Sequence, residues 1–360
     1  MKFDVVVGNP PYQESQSNNN KGEAIYHYFY DLSERVASKY CLISPARFLF
    51  NGGLTPKPWN HKMLNDEYLN VEYYVQNSRD VFQNTDIKGG IVVLYRDSKK
   101  KFGAINNFIP DETLRKIASK FDSKAENNLT TIMFGGRSDL KFNDKFLKRY
   151  PDSLKKRLEQ IQRKHPEVLK LGSNEEYELK SSTFDSLDYA FFKGEPGNSE
   201  NYWKILGIYN NERSYRWIEK EFMTARYPEN NNLENYKVFV PESNGSGLMG
   251  EVLSTPLIGT PSTSNTPTFI SIGSFNNEVE AQNLLKYVKT KFVRTLLGIL
   301  KVTQHNPPLK WAYIPLQDFT LNSDIDWSKT IPEIDHYLYL KYGLGQNEIN
   351  FIEGKVKEMN

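Results

Sequence analysis

The stretch that decides the fold is Phe3-Asp4-Val5-Val6-Val7-Gly8-Asn9-Pro10-Pro11-Tyr12-Gln13. Its β-branched run ends at a glycine and two prolines, the form of a buried parallel strand entering a loop. Residues 15–22 are polar and Asn-rich and predict a flexible loop. Ile25, Tyr28, Phe29, Leu32 and Val36 then recur at helical spacing, which predicts an amphipathic helix over 24–38. Residues 40–43, stopped by Ser44-Pro45, predict a second strand. Residues 71–76 and 91–95 predict two more, the last preceded by the turn Lys88-Gly89-Gly90. Alternation of strand and helix implies an α/β sheet. Such sheets bind ligands at the carboxyl ends of their strands, where residues 9–12 stand.

The character changes at the charged run Asp97-Ser98-Lys99-Lys100-Lys101. Residues 99–220 read as mainly helical, and 236–275 as short strands separated by Gly, Ser, Thr and Pro turns. The stripe Ala281, Leu284, Leu285, Val288, Phe292, Leu296 and Leu297 predicts one long helix over 277–301. Its opposite face carries Lys286, Lys289, Arg294 and Lys301. Near the end, Thr330 and Glu333 form a capping box with Pro332 in the first turn, and Gly343 and Gly345 provide the stop.

Composition narrows the class. The 360 residues suffice for two or three domains with real cores. No apolar run is long enough to cross a bilayer, and the N-terminus lacks a signal-peptide pattern, so a cytoplasmic location is expected. The single cysteine, Cys41, sits in an apolar run and reads as a buried small hydrophobe, which excludes a disulfide framework. The five histidines (27, 61, 165, 305 and 336) lack metal-ligand spacing, and no metal site is expected. Net charge is only +2, but residues 111–170 hold fifteen Lys and Arg against nine Asp and Glu. That local excess suits either a solvated helix face or a phosphate-contacting surface.

The sharpest chemical signal is Asn9-Pro10-Pro11-Tyr12. The exocyclic amine of adenine is a poor nucleophile because its lone pair is delocalised into the ring. Two acceptors in the amine's plane, the Asn9 side-chain oxygen and the Pro10 carbonyl, could bind both N–H bonds and favour an electron-rich nitrogen. Proline suits the second role through its fixed φ and missing N–H. Two prolines also stiffen the loop, which helps hold reacting atoms in place. Tyr12 offers a flat ring for a base rotated out of the duplex. The alternative is an ordinary loop or a polyproline recognition segment. The preceding strand and following helix favour the catalytic reading.

Residues 3–13 resemble motif IV of amino-methyltransferases, and more specifically the adenine-specific methylases of bifunctional type II restriction–modification enzymes. The resemblance continues through Leu42-Ile43-Ser44-Pro45-Ala46-Arg47-Phe48 and Val81-Phe82-Gln83-Asn84-Thr85-Asp86-Ile87-Lys88-Gly89-Gly90. It reappears at Thr290-Lys291-Phe292-Val293-Arg294, Ile314-Pro315-Leu316-Gln317-Asp318-Phe319, Asp324-Ile325-Asp326-Trp327 and Glu333-Ile334-Asp335. It implies an α/β fold: a partial Rossmann-like methyltransferase sheet from motif IV onward, a mixed α+β DNA target-recognition domain, and C-terminal helices. The corresponding boundaries are 1–98, 99–321 and 322–360. It implies double-stranded DNA as partner, Asn9, Pro10, Pro11 and Tyr12 as the catalytic loop, and Phe82 as a second stacking ring. Candidate DNA contacts are Arg137, Arg213, Arg216, Arg226, Asn244 in the loop 243–246, Lys286, Lys289 and Arg294. Arginine favours guanine edges, and most such cations contact phosphate.

The same family binds S-adenosylmethionine through a Gly-rich turn followed by an acidic residue, and neither precedes Phe3. Gly245-Ser246-Gly247, Gly135-Gly136 and Gly89-Gly90 lack the strand-then-helix setting, and the second Asn-Pro-Pro at 306–308 reads as a helix stop. Without a neighbour the first strand would leave an apolar sheet edge open. The expectation is therefore a C-terminal piece or split-enzyme subunit that needs a cofactor-binding methyltransferase half. Two functions follow: the catalytic loop and recognition part of a DNA adenine methyltransferase, or a DNA-binding specificity module with a vestigial loop. No cluster of Asp, Glu and Lys suggests an endonuclease.

Overall fold

The computed structural model describes residues 3–14, 23–122, 126–163, 165–245, 250, 253–301 and 304–359. The expected loop at 15–22 and part of 243–247 lie outside them. The chain divides into two compact units, Met1–Arg115 and Lys116–Asn360.

The first unit is built as β1 (Val6–Gly8), α1 (Tyr26–Val36), β2 (Lys39–Pro45), α2 (Lys57–Asn65), β3 (Leu69–Val75) and β4 (Ile91–Asp97). Its four strands lie in the order β1-β2-β4-β3. β1 runs parallel to β2, with Gly8 opposite Leu42, while β4 runs antiparallel to both β2 and β3. The carboxyl ends of β1, β2 and β3 therefore meet at one edge of the sheet, beside the start of β4.

Burial alternates along β2, with Tyr40, Leu42 and Ser44 inward, as period-two geometry requires. Cys41 accordingly faces outward and is half-buried, not the fully buried hydrophobe its apolar neighbours suggest. Tyr30, Tyr40, Phe48, Trp59 and Met63 form the centre of the core. The Phe48 and Trp59 ring centroids are 5.1 Å apart, edge to face. Each such buried side chain contributes roughly 1.5–3 kcal/mol.

Two expectations about this unit are corrected. Helix α1 forms, but it buries Tyr26, His27, Tyr30 and Ser33. The apolar stripe read from the sequence faces out, with Tyr28 56% and Leu32 53% exposed. Polar tips caused the misreading: the Tyr30 hydroxyl pairs with Ser44 Oγ at 2.9 Å, so polar-looking residues occupy the inner face. Strand β1, expected to be buried on both sides, is an edge strand with Val7 72% exposed, because β2 is its neighbour on one side only.

The second unit begins within α3 (Glu112–Ala118). It continues with β5 (Met133–Phe134), β6 (Leu140–Phe142), α4 (Asp144–Arg149), α5 (Ser153–Gln162) and α6 (Thr183–Ser186). Strands β7 (Tyr202–Tyr209), β8 (Glu212–Glu219), β9 (Met223–Ala225), β10 (Tyr236–Pro241), β11 (Leu257–Gly259), β12 (Thr263–Asn265) and β13 (Phe269–Phe275) follow. They form sheets ordered β11-β10-β13-β5, β12-β7-β8 and β6-β9. Helices α7 (Glu278–Lys289), α8 (Lys291–Leu300), α9 (Ile331–Lys341) and α10 (Gln346–Lys355) close the chain.

The short strands expected over 236–275 are present. Residues 202–219, expected to be helical, are instead the β7–β8 hairpin. Its turn residues Asn210 and Asn211 have φ of 51° and 66°, the left-handed pair a tight hairpin demands. The single long helix expected over 277–301 breaks at Thr290 into α7 and α8. Thr290 caps Val293 N–H, and the Asp335 carboxylate takes the N–H groups of Lys291 and Phe292 at 2.9 and 2.8 Å. The capping box of Thr330 and Glu333 forms as expected. Gly343 stands just past α9 at φ 62°, whereas Gly345 begins α10 rather than ending α9.

Candidate functional site

At the carboxyl edge of the first unit's sheet, β1 ends in Gly8 and the chain enters Asn9-Pro10-Pro11-Tyr12. Asn9 and Pro11 are exposed, Pro10 is buried, and Tyr12 packs partly against the core. The loop is tied to the start of α1: Ile25 N–H donates to the Tyr12 carbonyl at 3.2 Å, and Glu14 N–H to the Glu23 carbonyl at 3.1 Å. Burial raises the Tyr12 pKa, and the nearby Asn9 side chain tempers the rise. Among the described residues the hydroxyl nonetheless has no hydrogen-bond partner of ordinary geometry. The arrangement holds the Asn9 amide in solvent on a rigid stem, beside a ring anchored in the core.

Two further segments reach the same edge. After β2, Ala46 N–H donates to the Gly90 carbonyl at 2.9 Å, and Arg47 begins a short 3-10 turn to Phe50. After β3, residues 76–90 form a loop that carries Phe82 and returns to β4. Buried Ser78 organises it: Ser78 Oγ donates to the Thr85 carbonyl at 3.0 Å and accepts from Ile87 N–H at 2.8 Å. Phe82 N–H donates to the Ser78 carbonyl at 2.8 Å. The Phe82 ring is half-buried and Val81 is exposed. Topology thus brings the Asn9-to-Tyr12 loop, Arg47 and the Phe82 loop to one end of the sheet.

In the second unit the candidate DNA contacts separate into two kinds. Arg226 is half-buried and bidentate to Glu178 at 3.0 and 2.6 Å, with Nε donating to the Ser138 carbonyl at 2.9 Å. Arg216 is buried, donates to the Tyr215 carbonyl at 3.0 Å and lies over the Tyr209 ring. Arg294, also buried, donates to the carbonyls of Lys289 and Lys357 at 3.0 and 2.6 Å, and burial lowers its pKa. Lys301, placed by the sequence on the helix face opposite the apolar stripe, is buried and donates to the Asn244 carbonyl at 2.8 Å. Asn244 Oδ1 accepts from Asn306 at 2.6 Å. Lys286 donates to the Trp327 carbonyl at 2.6 Å, and Lys289 is half-buried. These cations and amides are engaged within the fold.

Arg137 and Arg213 differ. Arg213 is exposed, although one N–H donates to the Thr255 carbonyl at 2.6 Å. The Arg137 side chain is 66% exposed and only 3.9 Å from Glu178. It borders an open cleft of about 490 Å³ with Lys141, Asn143, Asn174, Tyr177 and Arg226. The sequence reading included Arg137 and Arg226 but missed Lys141, Asn143, Asn174 and Glu178. Nothing local marks them, because they converge only when β6 pairs with β9, Leu140 opposite Ala225.

Among the described residues, no three His, Cys, Asp or Glu are grouped to hold a metal ion, and no helix is long and apolar enough to cross a membrane. The turns after β1 and β2 do not fit the S-adenosylmethionine-binding turn of the resembled family. The turns after β1 and β2 are Asn-Pro-Pro-Tyr and Ala-Arg, where a Gly-rich turn with a following acidic residue would be required.

Residues 1–82 match the family described as Eco57I restriction-modification methylase. The chain is also 33% identical over 95 residues to an uncharacterized adenine-specific methylase of Mycoplasma pneumoniae. That match covers 25% of this chain and 22% of the relative, so the chain spans less than a quarter of that protein in the alignment. The segment bearing the candidate catalytic loop is therefore similar to restriction–modification methylases.

Proposed function

We propose that this chain takes part in site-specific methylation of adenine N6 in DNA within a restriction–modification system, supplying the adenine-binding loop and sequence recognition. The observation that carries the reading is the Asn9-to-Tyr12 loop at the carboxyl end of β1, in the segment similar to those methylases. Asn9 Oδ1 and the Pro10 carbonyl accept the two N–H bonds of the adenine amine. Tyr12 flanks the base, and Phe82 is the ring proposed for its other side. Residues 1–98 form the catalytic part and 99–321 the recognition part, with Arg137 and Arg213 as its exposed cations. S-adenosylmethionine belongs to a separate methyltransferase half. The support for such a partner is the open edge of β1, where Phe3, Val5 and Val7 lie exposed, together with the outward apolar residues Tyr28, Phe29 and Leu32 of α1. An unpaired strand edge with apolar flanks is a template for another strand.

The test is reconstitution with a cofactor-binding half. Asn9→Ala is expected to lower methyl transfer about a hundredfold or more while leaving DNA affinity intact. Calorimetric titration of the lone chain with S-adenosylmethionine is expected to show no micromolar binding, and a tight isotherm would defeat the division of labour. The absence of a Gly-rich turn after β1 and β2 also favours a second reading, a DNA-binding specificity module with a vestigial loop. Under it, Asn9→Ala leaves every measurable property unchanged.

A further inference from the structure

Arg47 stands at the candidate site, and no role was read for it from the sequence. Its side-chain stem is held in a slot between two glycines. A Cβ on Gly89 would fall 2.5 Å from Arg47 Cγ, and one on Gly53 would fall 3.3 Å from Arg47 Cβ. Both glycines have positive φ, 88° and 90°, so the slot is built from backbone that ordinary residues adopt only with strain. The residue is half-buried. Its guanidinium makes no ion pair or hydrogen bond among the described residues. Its positive field reaches the Tyr26 hydroxyl, whose pKa burial pushes up to about 12 and Arg47 tempers. Nearby in the chain, Thr55 donates to fully buried Asn60 at 2.6 Å, and among the described residues the Asn60 amide nitrogen has no partner.

A side chain held by its apolar stem leaves its guanidinium without pairing energy from the fold. Every other arginine discussed above has a carbonyl or carboxylate within reach. Arg47 is instead oriented by packing and left open at the sheet edge that carries the Asn9-to-Tyr12 loop. We propose that Arg47 receives a backbone phosphate of the DNA strand bearing the target adenine, and so acts as a positioning residue for the base. The proposal rests on the DNA-methylation reading above. Planar guanidinium matches phosphate in a two-pronged geometry that lysine does not reproduce. A base turned out of the duplex keeps its flanking phosphates, and one fixed phosphate limits where the base can land.

The test is fluorescence-anisotropy titration of the full chain with a labelled mixed-sequence duplex, from about 50 to about 500 mM salt. Each phosphate that is no longer neutralised by the protein lowers the slope of log affinity against log salt by about 0.9. Arg47→Met keeps the stem in its slot and removes the charge. It is expected to bind more weakly at low salt, with the ratio of wild-type to variant affinity shrinking about eightfold over that range. Arg47→Lys keeps the charge and is expected to keep the slope. Inorganic phosphate at matched ionic strength is expected to compete no better than chloride, and preferential competition would mark an isolated anion site instead. A folded Arg47→Met or Arg47→Gln, checked by circular dichroism, with the wild-type slope overturns the proposal alone. Absence of salt-dependent DNA binding by the wild type overturns the methylation reading with it.

Discussion

Gly90 offers the most demanding test of the geometry at the candidate site. It closes the 76–90 loop onto β4 at φ 84°. A Cβ there would stand 2.0 Å from the Val75 carbonyl oxygen, 2.8 Å from Gln76 Cα and 2.9 Å from Val75 C. All three are backbone atoms at the end of β3, so no side chain can swing aside. Gly90→Ala carries the positive-φ penalty of about 1–2 kcal/mol. It also places a methyl more than an ångström inside van der Waals contact, which costs a further 1–3 kcal/mol, roughly, by analogy with overpacking. The total is about 2–5 kcal/mol, a large share of a domain's stability. Gly103 is the internal control, in the same unit at φ 94° with nothing within 4 Å of a built Cβ. Gly103→Ala therefore bears only the conformational penalty, partly offset by the stiffer unfolded chain, for a net of about 1 kcal/mol. Urea titration read by pulse proteolysis, following fragments from residues 1–115, separates this unit from the rest of the chain. With a slope of about 1–1.5 kcal/mol per molar urea, Gly90→Ala should lower the midpoint by about 1.3 M or more and Gly103→Ala by about 1 M at most. Equal midpoints for the two variants would refute the close approach of Gly90 to β3, and with it the position assigned to the Phe82 loop.

Three further outcomes follow from the second unit. Burial pushes the Asp139 carboxyl up to about 6, against the pull of Lys237 and Arg226. Between its ordinary value and 6 the folded chain binds more protons than the unfolded one, so this group's contribution makes stability fall as pH rises through that window. Asp139→Asn should flatten the decline in urea midpoint between pH 4.5 and 7.5, and an unaltered pH profile counts against the burial. Asp335→Ala removes the acceptor for two N–H groups at the start of α8 and should cost about 1–3 kcal/mol, seen as a lower melting temperature. Arg137→Ala should change stability by less than about 0.5 kcal/mol while weakening DNA binding. Arg226→Ala, by stranding Glu178, should cost about 2–3 kcal/mol, and identical effects of the two would contradict the split between exposed and engaged arginines.

Local pattern determined a definite part of this protein. Runs of β-branched residues, helical spacing and turn chemistry located β1 to β4, α1 and the capping box at Thr330, because these depend on neighbours within a few residues. The Asn-Pro-Pro-Tyr loop was legible for the same reason: the chemistry proposed for it rests on four consecutive residues. Tertiary structure decided what sits around it. Which face of α1 is buried depended on Tyr30 finding Ser44 in β2, and polarity alone pointed the wrong way. The break at Thr290 depended on the Asp335 carboxylate from a later helix. The fate of several arginines was decided likewise, since the carbonyl or carboxylate that accepts from Arg213, Arg226 or Arg294 is supplied by distant chain. Arg226 is taken by Glu178 and Arg294 by the Lys357 carbonyl, while Arg47 is laid across two glycines with its charge unspent. A sequence states where the charges are, and only the fold states which of them remain available to a ligand.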